Sequence, residues 1–151
     1  LSVGKTVRLK NAYIIECDEV IKDENGEIIE LKCHYFENSR SGSDTSGVKV
    51  KGTIHWVSIP HAVEAEVRLY DRLFTDESPN GHKDKDFLEF LNPNSLEVVT
   101  GYVEPHLKTV KVGDNLQFMR IGYFAVDKDT TDEKLVFNRT VTLRDNWKKK
   151  K

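Results

Sequence analysis

Apolar and polar residues alternate along "EIIELKCHYFE" at residues 27–37. Ile29, Leu31, Cys33 and Tyr35 fall at every second place, with Glu30, Lys32 and His34 between them. A period of two belongs to a strand with one apolar face. Upstream, "KTVRLKNAYIIEC" at 5–17 is rich in β-branched and aromatic residues and predicts a partner strand. Between them "KDENGEI" carries Asn25-Gly26, a strong hairpin signal. Further strands are predicted at 48–58, 62–74, 95–104, 116–126 and 134–143. "NSRSGSDTSG" at 38–47 reads as a polar loop with nothing to bury. Only "DFLEFL" at 86–91 predicts a helix, short and ended by Asn92-Pro93. The expected fold class is all-β.

The pattern also repeats. "VGKTVRLKNAYIIECD" from Val3 resembles "VGDNLQFMRIGYFAVD" from Val112, if one residue is skipped so that both the Val-Gly starts and the tyrosines align. In both halves a turn follows, then a strand with Lys or Arg near its middle, "KVKGTIHWV" and "VFNRTVTL". Two copies of one β module fit this better than a single large sandwich.

Composition narrows the function classes. The chain has 151 residues, enough for one ordinary domain or two very small ones. Its net charge of -2 with 32% charged residues leaves no global basic field, so any anion-binding surface is local. No apolar run approaches the ~20 residues of a membrane helix. Cys17 and Cys33 form no C-x-x-C and no disulfide framework, and there is no signal peptide; both are expected as reduced, buried thiols of a cytoplasmic protein. The chain opens at Leu1 without methionine, which suggests a piece of something longer. The lysines at 148–151 read as a solvated tail.

Catalytic and metal motifs are weak. "GKT" at 4–6 lacks the upstream glycine of a phosphate-binding loop and precedes a strand. Cys33 and His34 are metal-ligand types, but as strand neighbours they point to opposite faces and read better as a core thiol and a surface imidazole. No His spacing or local nucleophile–base pattern stands out. What remains is cations beside aromatics: Arg8, Lys10, Lys49, Lys51, Arg68, Arg72, Arg120, Arg139 and Arg144, with Tyr13, Trp56, Tyr70 and Tyr123 nearby. Single-stranded RNA is read by such sets, aromatics stacking on bases and cations taking base edges and phosphates. Gln117 offers both donor and acceptor to a base edge. The competing reading pairs each cation with the plentiful Asp and Glu. Lys10 and Arg120 stand out because each precedes a tyrosine by three residues in a strand-like segment.

"GTIHWVS", "EVRLYDRLF", "LNPNSLEVV", "LQFMRIGYF" and "KLVFNRTVTLRD", in this order, resemble the C-terminal anticodon-binding domain of glutaminyl-tRNA synthetase, from about Val3 to Trp147. The resemblance implies two β-barrels, proximal and distal, related by duplication with exchange of N-terminal strands. Residues 1–151 would then hold the distal barrel and part of the proximal one, the boundaries interleaved and the proximal barrel incomplete through N-terminal truncation. It implies a parent enzyme that joins glutamine to tRNA(Gln) with ATP and Mg²⁺, in a catalytic domain absent here. This piece would have no catalytic residue and no cofactor of its own. Its partners would be the anticodon loop of tRNA(Gln) and the parent's catalytic domain, with no membrane and no DNA. By the same resemblance, Lys10 matches an arginine position at the first anticodon base, where lysine lacks the bidentate fork. Gln117 and Arg120 match residues that hold the middle base. Their strand parity is opposite, so a bulge or strand end is expected near Gly122. Arg8, Arg139 and Arg144 match basic positions without an assigned nucleotide. Alternative readings are the eukaryotic-type glutamyl-tRNA synthetases, which share the architecture, a free-standing barrel related to a 5S RNA-binding ribosomal protein, and a protein-interaction module with merely solvated cations.

Overall fold

The alternating segment near residue 30 does form a strand, and it sits at the margin of its sheet. The structure, a computed structural model, describes residues 1–143; Arg144 and the lysines at 148–151 lie outside the described residues. The chain divides into two compact units, Leu1–Trp56 and a second from Val57 onward. The fold is all-β, with two barrel-like sheets.

The first unit holds β1 (Thr6–Leu9), β2 (Ile14–Lys22), β3 (Ile28–Tyr35) and β4 (Thr53–Ile54), in the order β3-β2-β1-β4. β1 and β2 are antiparallel, as are β2 and β3, while β4 runs parallel to β1. The run at 5–17 is therefore two strands, because the chain reverses between Leu9 and Tyr13. The predicted strand at 48–58 shrinks to Thr53–Ile54. The turn at Asn25-Gly26 differs from the two-residue form that pair usually signals. The Gly26 N–H donates to Asp23 O at 3.0 Å, and only Gly26 has positive φ, at 85°. Asp23 Oδ1 accepts from the Asn25 and Glu27 N–H groups, both at 2.9 Å, and holds a three-residue turn.

Two expectations of burial fail in this unit. Cys33 is exposed whereas Cys17 is buried, and both are free thiols. The register pairs Leu31 with Val20, Cys33 with Cys17 and Tyr35 with Ile15, while Ile29 falls in a register shift; Ile29 and Tyr35 are exposed too. β3 is an edge strand, and the fully buried side chains of this unit are Ile14, Cys17 and Ser39. Ser39 belongs to the loop expected to bury nothing. Its hydroxyl accepts the Ile14 N–H at 2.7 Å and donates to Phe36 O at 2.6 Å, so the loop docks on β2 through a satisfied polar group.

The second unit adds β5 (Val63–Tyr70), β6 (Leu96–Val103), β7 (Asn115–Phe118), β8 (Gly122–Val126) and β9 (Leu135–Thr142), ordered β6-β5-β9-β8-β7. β5 and β9 are parallel; the other neighbours are antiparallel. Ala65, Val67, Phe124, Val126 and Phe137 form the core with Val103, Leu107 and Leu135. Phe118 stacks on Phe124 at 4.3 Å and meets Phe137 edge-on at 5.2 Å. On the other face of β5, Arg68 binds Glu66 at 2.7 Å, Asp129 at 2.8 Å and Asp127 at 3.4 Å, and Lys134 completes the group at 2.6 Å from Glu66. This cation is thus held by acids, as the competing sequence reading had it.

The predicted helix at 86–91 is a 3₁₀ turn, Phe87–Phe90. The Asp86 side chain accepts the Leu88 N–H, and the Glu89 carboxylate accepts the Asp86 N–H, so both ends of a capping box are made. Three further 3₁₀ turns, Glu37–Ser39, Pro79–Gly81 and Pro105–Thr109, were not predicted.

Candidate nucleic-acid interface

The run at 116–126 is also two strands. It folds back at Met119–Ile121, with the Ile121 N–H donating to Phe118 O at 2.9 Å. Arg120 occupies this turn at φ 63°, in the left-handed region. It is not in a strand, and its opposite parity to Gln117 has no consequence, because β7 ends at Phe118. A non-glycine residue pays ~1–2 kcal/mol for this conformation. Such outliers concentrate where a side chain must be aimed.

The turn between β1 and β2 has the same construction. The Ala12 N–H donates to Leu9 O at 3.0 Å, and Asn11 has φ 57°. The registers also match: Thr6↔Glu16, Val7↔Ile15 and Arg8↔Ile14 in one hairpin, Asn115↔Ala125, Leu116↔Phe124 and Gln117↔Tyr123 in the other. Gly4 and Gly113 open the two copies at φ 70° and 90°. Their N–H groups donate to Cys17 O at 2.8 Å and to Val126 O at 3.0 Å. The hairpins correspond without a gap, which corrects the alignment that skipped a residue to match tyrosines. Asn11 is the counterpart of Arg120, Lys10 of Met119 and Arg8 of Gln117. The third strand of each copy is β3 or β9, each antiparallel to the strand before it, and not the 49–57 segment.

In the second unit the candidate residues gather at one end of β7-β8-β9. Gln117 faces Tyr123 across the strands, and Tyr123 faces Val141, so these three exposed side chains form a row. Arg120 is exposed at the adjoining turn. Arg139 lies beside the same end: its Nη2 donates to Tyr70 O at 3.1 Å, and among the described residues its buried Nε has no hydrogen-bond partner. A bulge between Tyr123 and Phe124 leaves Thr140 opposite neither residue. There Gly122 is required by close approach, since a Cβ on it would lie 2.8 Å from Val141 O. Tyr123 was named among the sequence's aromatics but not among its site residues; strand pairing with Gln117 is the signal that would have selected it.

In the first unit the candidates are more engaged. Arg8 donates to Ser39 O at 2.6 Å and makes an ion pair with Asp44. Hydrogen bonds from Ser46, with the Arg8 guanidinium adding to them, hold the Asp44 carboxyl below its ordinary range. Lys10 is half-buried at the turn; its N–H donates to Ile54 O at 2.9 Å and its carbonyl accepts the Trp56 indole N–H at 3.0 Å. Arg144 lies outside the described residues. Among the described residues no group of three or more His, Cys, Asp and Glu could hold a metal ion.

Comparison with known proteins gives a consistent assignment. Two family models match, both described as "tRNA synthetases class I (E and Q), anti-codon binding domain", over residues 1–36 and 53–127. The chain is 51% identical over 150 residues to the glutamine–tRNA ligase of Rhodopirellula baltica, covering 99% of this chain and 25% of that protein. It is 52% identical to the enzyme of Proteus mirabilis, covering 99% and 26%, and 49% identical to that of Clostridium perfringens, covering 97% and 27%. The chain thus spans about a quarter of the length of these relatives.

Proposed function

The chain belongs to the anticodon-binding domains of class I tRNA synthetases, and we propose that it reads the anticodon of tRNA(Gln) for a longer cytoplasmic glutamine–tRNA ligase. The carrying observation is the end of β7-β8-β9, where Gln117, Arg120 and Tyr123 are exposed together. Tyr123 offers a face for base stacking, Gln117 a donor and an acceptor, and Arg120 a forked donor at an exposed left-handed turn. In this reading Gln117 and Arg120 take the middle base.

Lys10 and Arg139 are secondary in the proposal. Lys10 supplies charge near Trp56 at the first hairpin. Arg139 braces the second hairpin through Tyr70 O. Arg8 serves mainly to hold the 39–44 loop against β1, its guanidinium already engaged by Ser39 O and Asp44. Glutamine activation with ATP and Mg²⁺ falls to the rest of the parent; this chain contributes recognition and transmits it.

The test is binding of an anticodon stem-loop carrying CUG, by fluorescence anisotropy, across a salt series. Affinity should fall linearly with the logarithm of salt, with a slope set by a few phosphate contacts. A scrambled loop should bind more weakly. Equal binding of both loops would reject anticodon reading by this chain.

A further inference from the structure

Cys17 and Cys33 stand directly opposite each other on β2 and β3. The backbone shows which kind of pair this is. The Cys17 N–H donates to Lys5 O at 3.2 Å and its carbonyl accepts the Gly4 N–H at 2.8 Å, so both polar groups point toward the β1 side. None is left for β3, and Cys17↔Cys33 is a non-hydrogen-bonded pair. Such pairs bring their Cα atoms to ~4.5 Å and their side chains onto one face. Disulfides accept Cα separations of about 4.4–6.8 Å. Both thiols are free, with Cys17 Sγ 3.6 Å from Glu19 O and Cys33 Sγ 3.8 Å from Leu31 O. Their surroundings differ sharply: Cys17 is 1% exposed, whereas Cys33 lies open on the edge strand.

We propose that Cys33 and Cys17 form a reversible oxidation site, in which the exposed thiol engages a small-molecule disulfide and the buried thiol resolves it. The Cys33 thiolate attacks one sulfur of the small disulfide, forming a protein mixed disulfide and releasing one small thiolate. The Cys17 thiolate then attacks Cys33 Sγ, closing the cross-strand bond and releasing the second small thiolate. Two protein thiols are oxidised and one small disulfide is reduced to two thiols, with the thiol protons passing to the medium or to the released thiolates. Partial desolvation against the sheet pushes the Cys33 thiol above its ordinary range, the adjacent Cys17 thiol and Asp18 adding to the effect. The first step is therefore slow near neutral pH and quickens as pH rises.

The test uses the whole chain and oxidised glutathione as the probe, followed by intact-mass measurement and peptide mapping without reduction. The expected end product is a monomer lighter by two hydrogens, its cross-link between the peptides of Cys17 and Cys33, reversed by dithiothreitol. Cys33→Ser lies at an exposed position and should fold. Its remaining thiol, Cys17, should react with oxidised glutathione at least tenfold more slowly than the unsubstituted chain is oxidised under native conditions, because Cys17 is shielded. Accumulation of a stable glutathione adduct on Cys33 in the unsubstituted chain would overturn the proposal, as would a Cys33–Cys33 dimer. Rapid modification of Cys17 in the Cys33→Ser variant would overturn the assigned order of attack.

Discussion

Asn11 and Arg120 occupy the same position in two copies of one hairpin, each in the left-handed conformation, at φ 57° and 63°. Asparagine tolerates this region better than most residues, and arginine is not among the residue types enriched there. The first copy therefore carries a residue type that suits the turn, and the second carries one that does not.

Replacing Arg120 with glycine should leave the turn intact. Relief of ~1–2 kcal/mol of strain is partly offset by the greater freedom of the unfolded chain, worth about 0.4–1 kcal/mol. The expected result is stability equal to the parent sequence or higher by up to about 1.5 kcal/mol, read as the midpoint of urea unfolding. A clear loss of stability would mean that the guanidinium holds the fold.

Gly122→Ala should be costly. Its Cβ would meet the backbone oxygen of Val141 at 2.8 Å, which no side-chain rotation can relieve. Overpacking of this kind costs ~1–3 kcal/mol. Because the bulge that aligns Tyr123 with Val141 lies here, RNA binding should weaken alongside stability. Thermal unfolding and anisotropy on one sample decide this, and an unchanged melting temperature would contradict the close approach.

Acid should weaken the second unit's ion cluster. Lys134 and then Arg68 hold the Glu66 carboxyl below its ordinary value of 4.5. The Asp129 N–H, Asn138 and Arg68 hold Asp127 below 3.8. Groups depressed on folding contribute stability above their unfolded values and lose it as pH falls through the folded ones. Unfolding midpoints should hold steady above about pH 4.5 and decline below it. Glu66→Gln should flatten that decline; an identical pH profile in the variant would remove Glu66 from the explanation.

Phe137→Ala removes a side chain that is 0% exposed and that meets Phe118 edge-on. The expected loss is ~3–5 kcal/mol, measured by urea unfolding. A loss below about 1 kcal/mol would mean that the core around β9 is not packed as described.

Much of this was legible in the residues. Alternation located β3, strands were expected over β5 and β6 as well, and the Val-Gly repeat exposed the duplicated hairpin. The two hairpin tips were missed because "RLKNAYII" and "QFMRIGYF" contain no Gly or Pro at the point of reversal. Asn11 and Arg120 supply the positive φ instead, and an arginine carries no local signal for it. Burial was the least legible property. Cys33 has the spacing of a core residue, but whether a strand is an edge depends on sheet order, which alternation does not encode. Likewise Ser39 and Asp44 look like loop polarity until Ile14 and Arg8 are brought to them.

The most direct test of the central claim compares Arg120→Gly with the unsubstituted sequence, both within the full-length ligase that the proposed function assigns to this chain. The readout is kcat/KM for aminoacylation of tRNA(Gln) and of tRNAs altered only at the middle anticodon base. The glycine variant keeps the turn while deleting the guanidinium, so folding and recognition are separated. The account predicts that the preference for the correct middle base falls by ~5–150-fold, the equivalent of ~1–3 kcal/mol for a base contact. Preferences at the other two positions should change far less. An unaltered middle-base preference in a properly folded Arg120→Gly enzyme would contradict it.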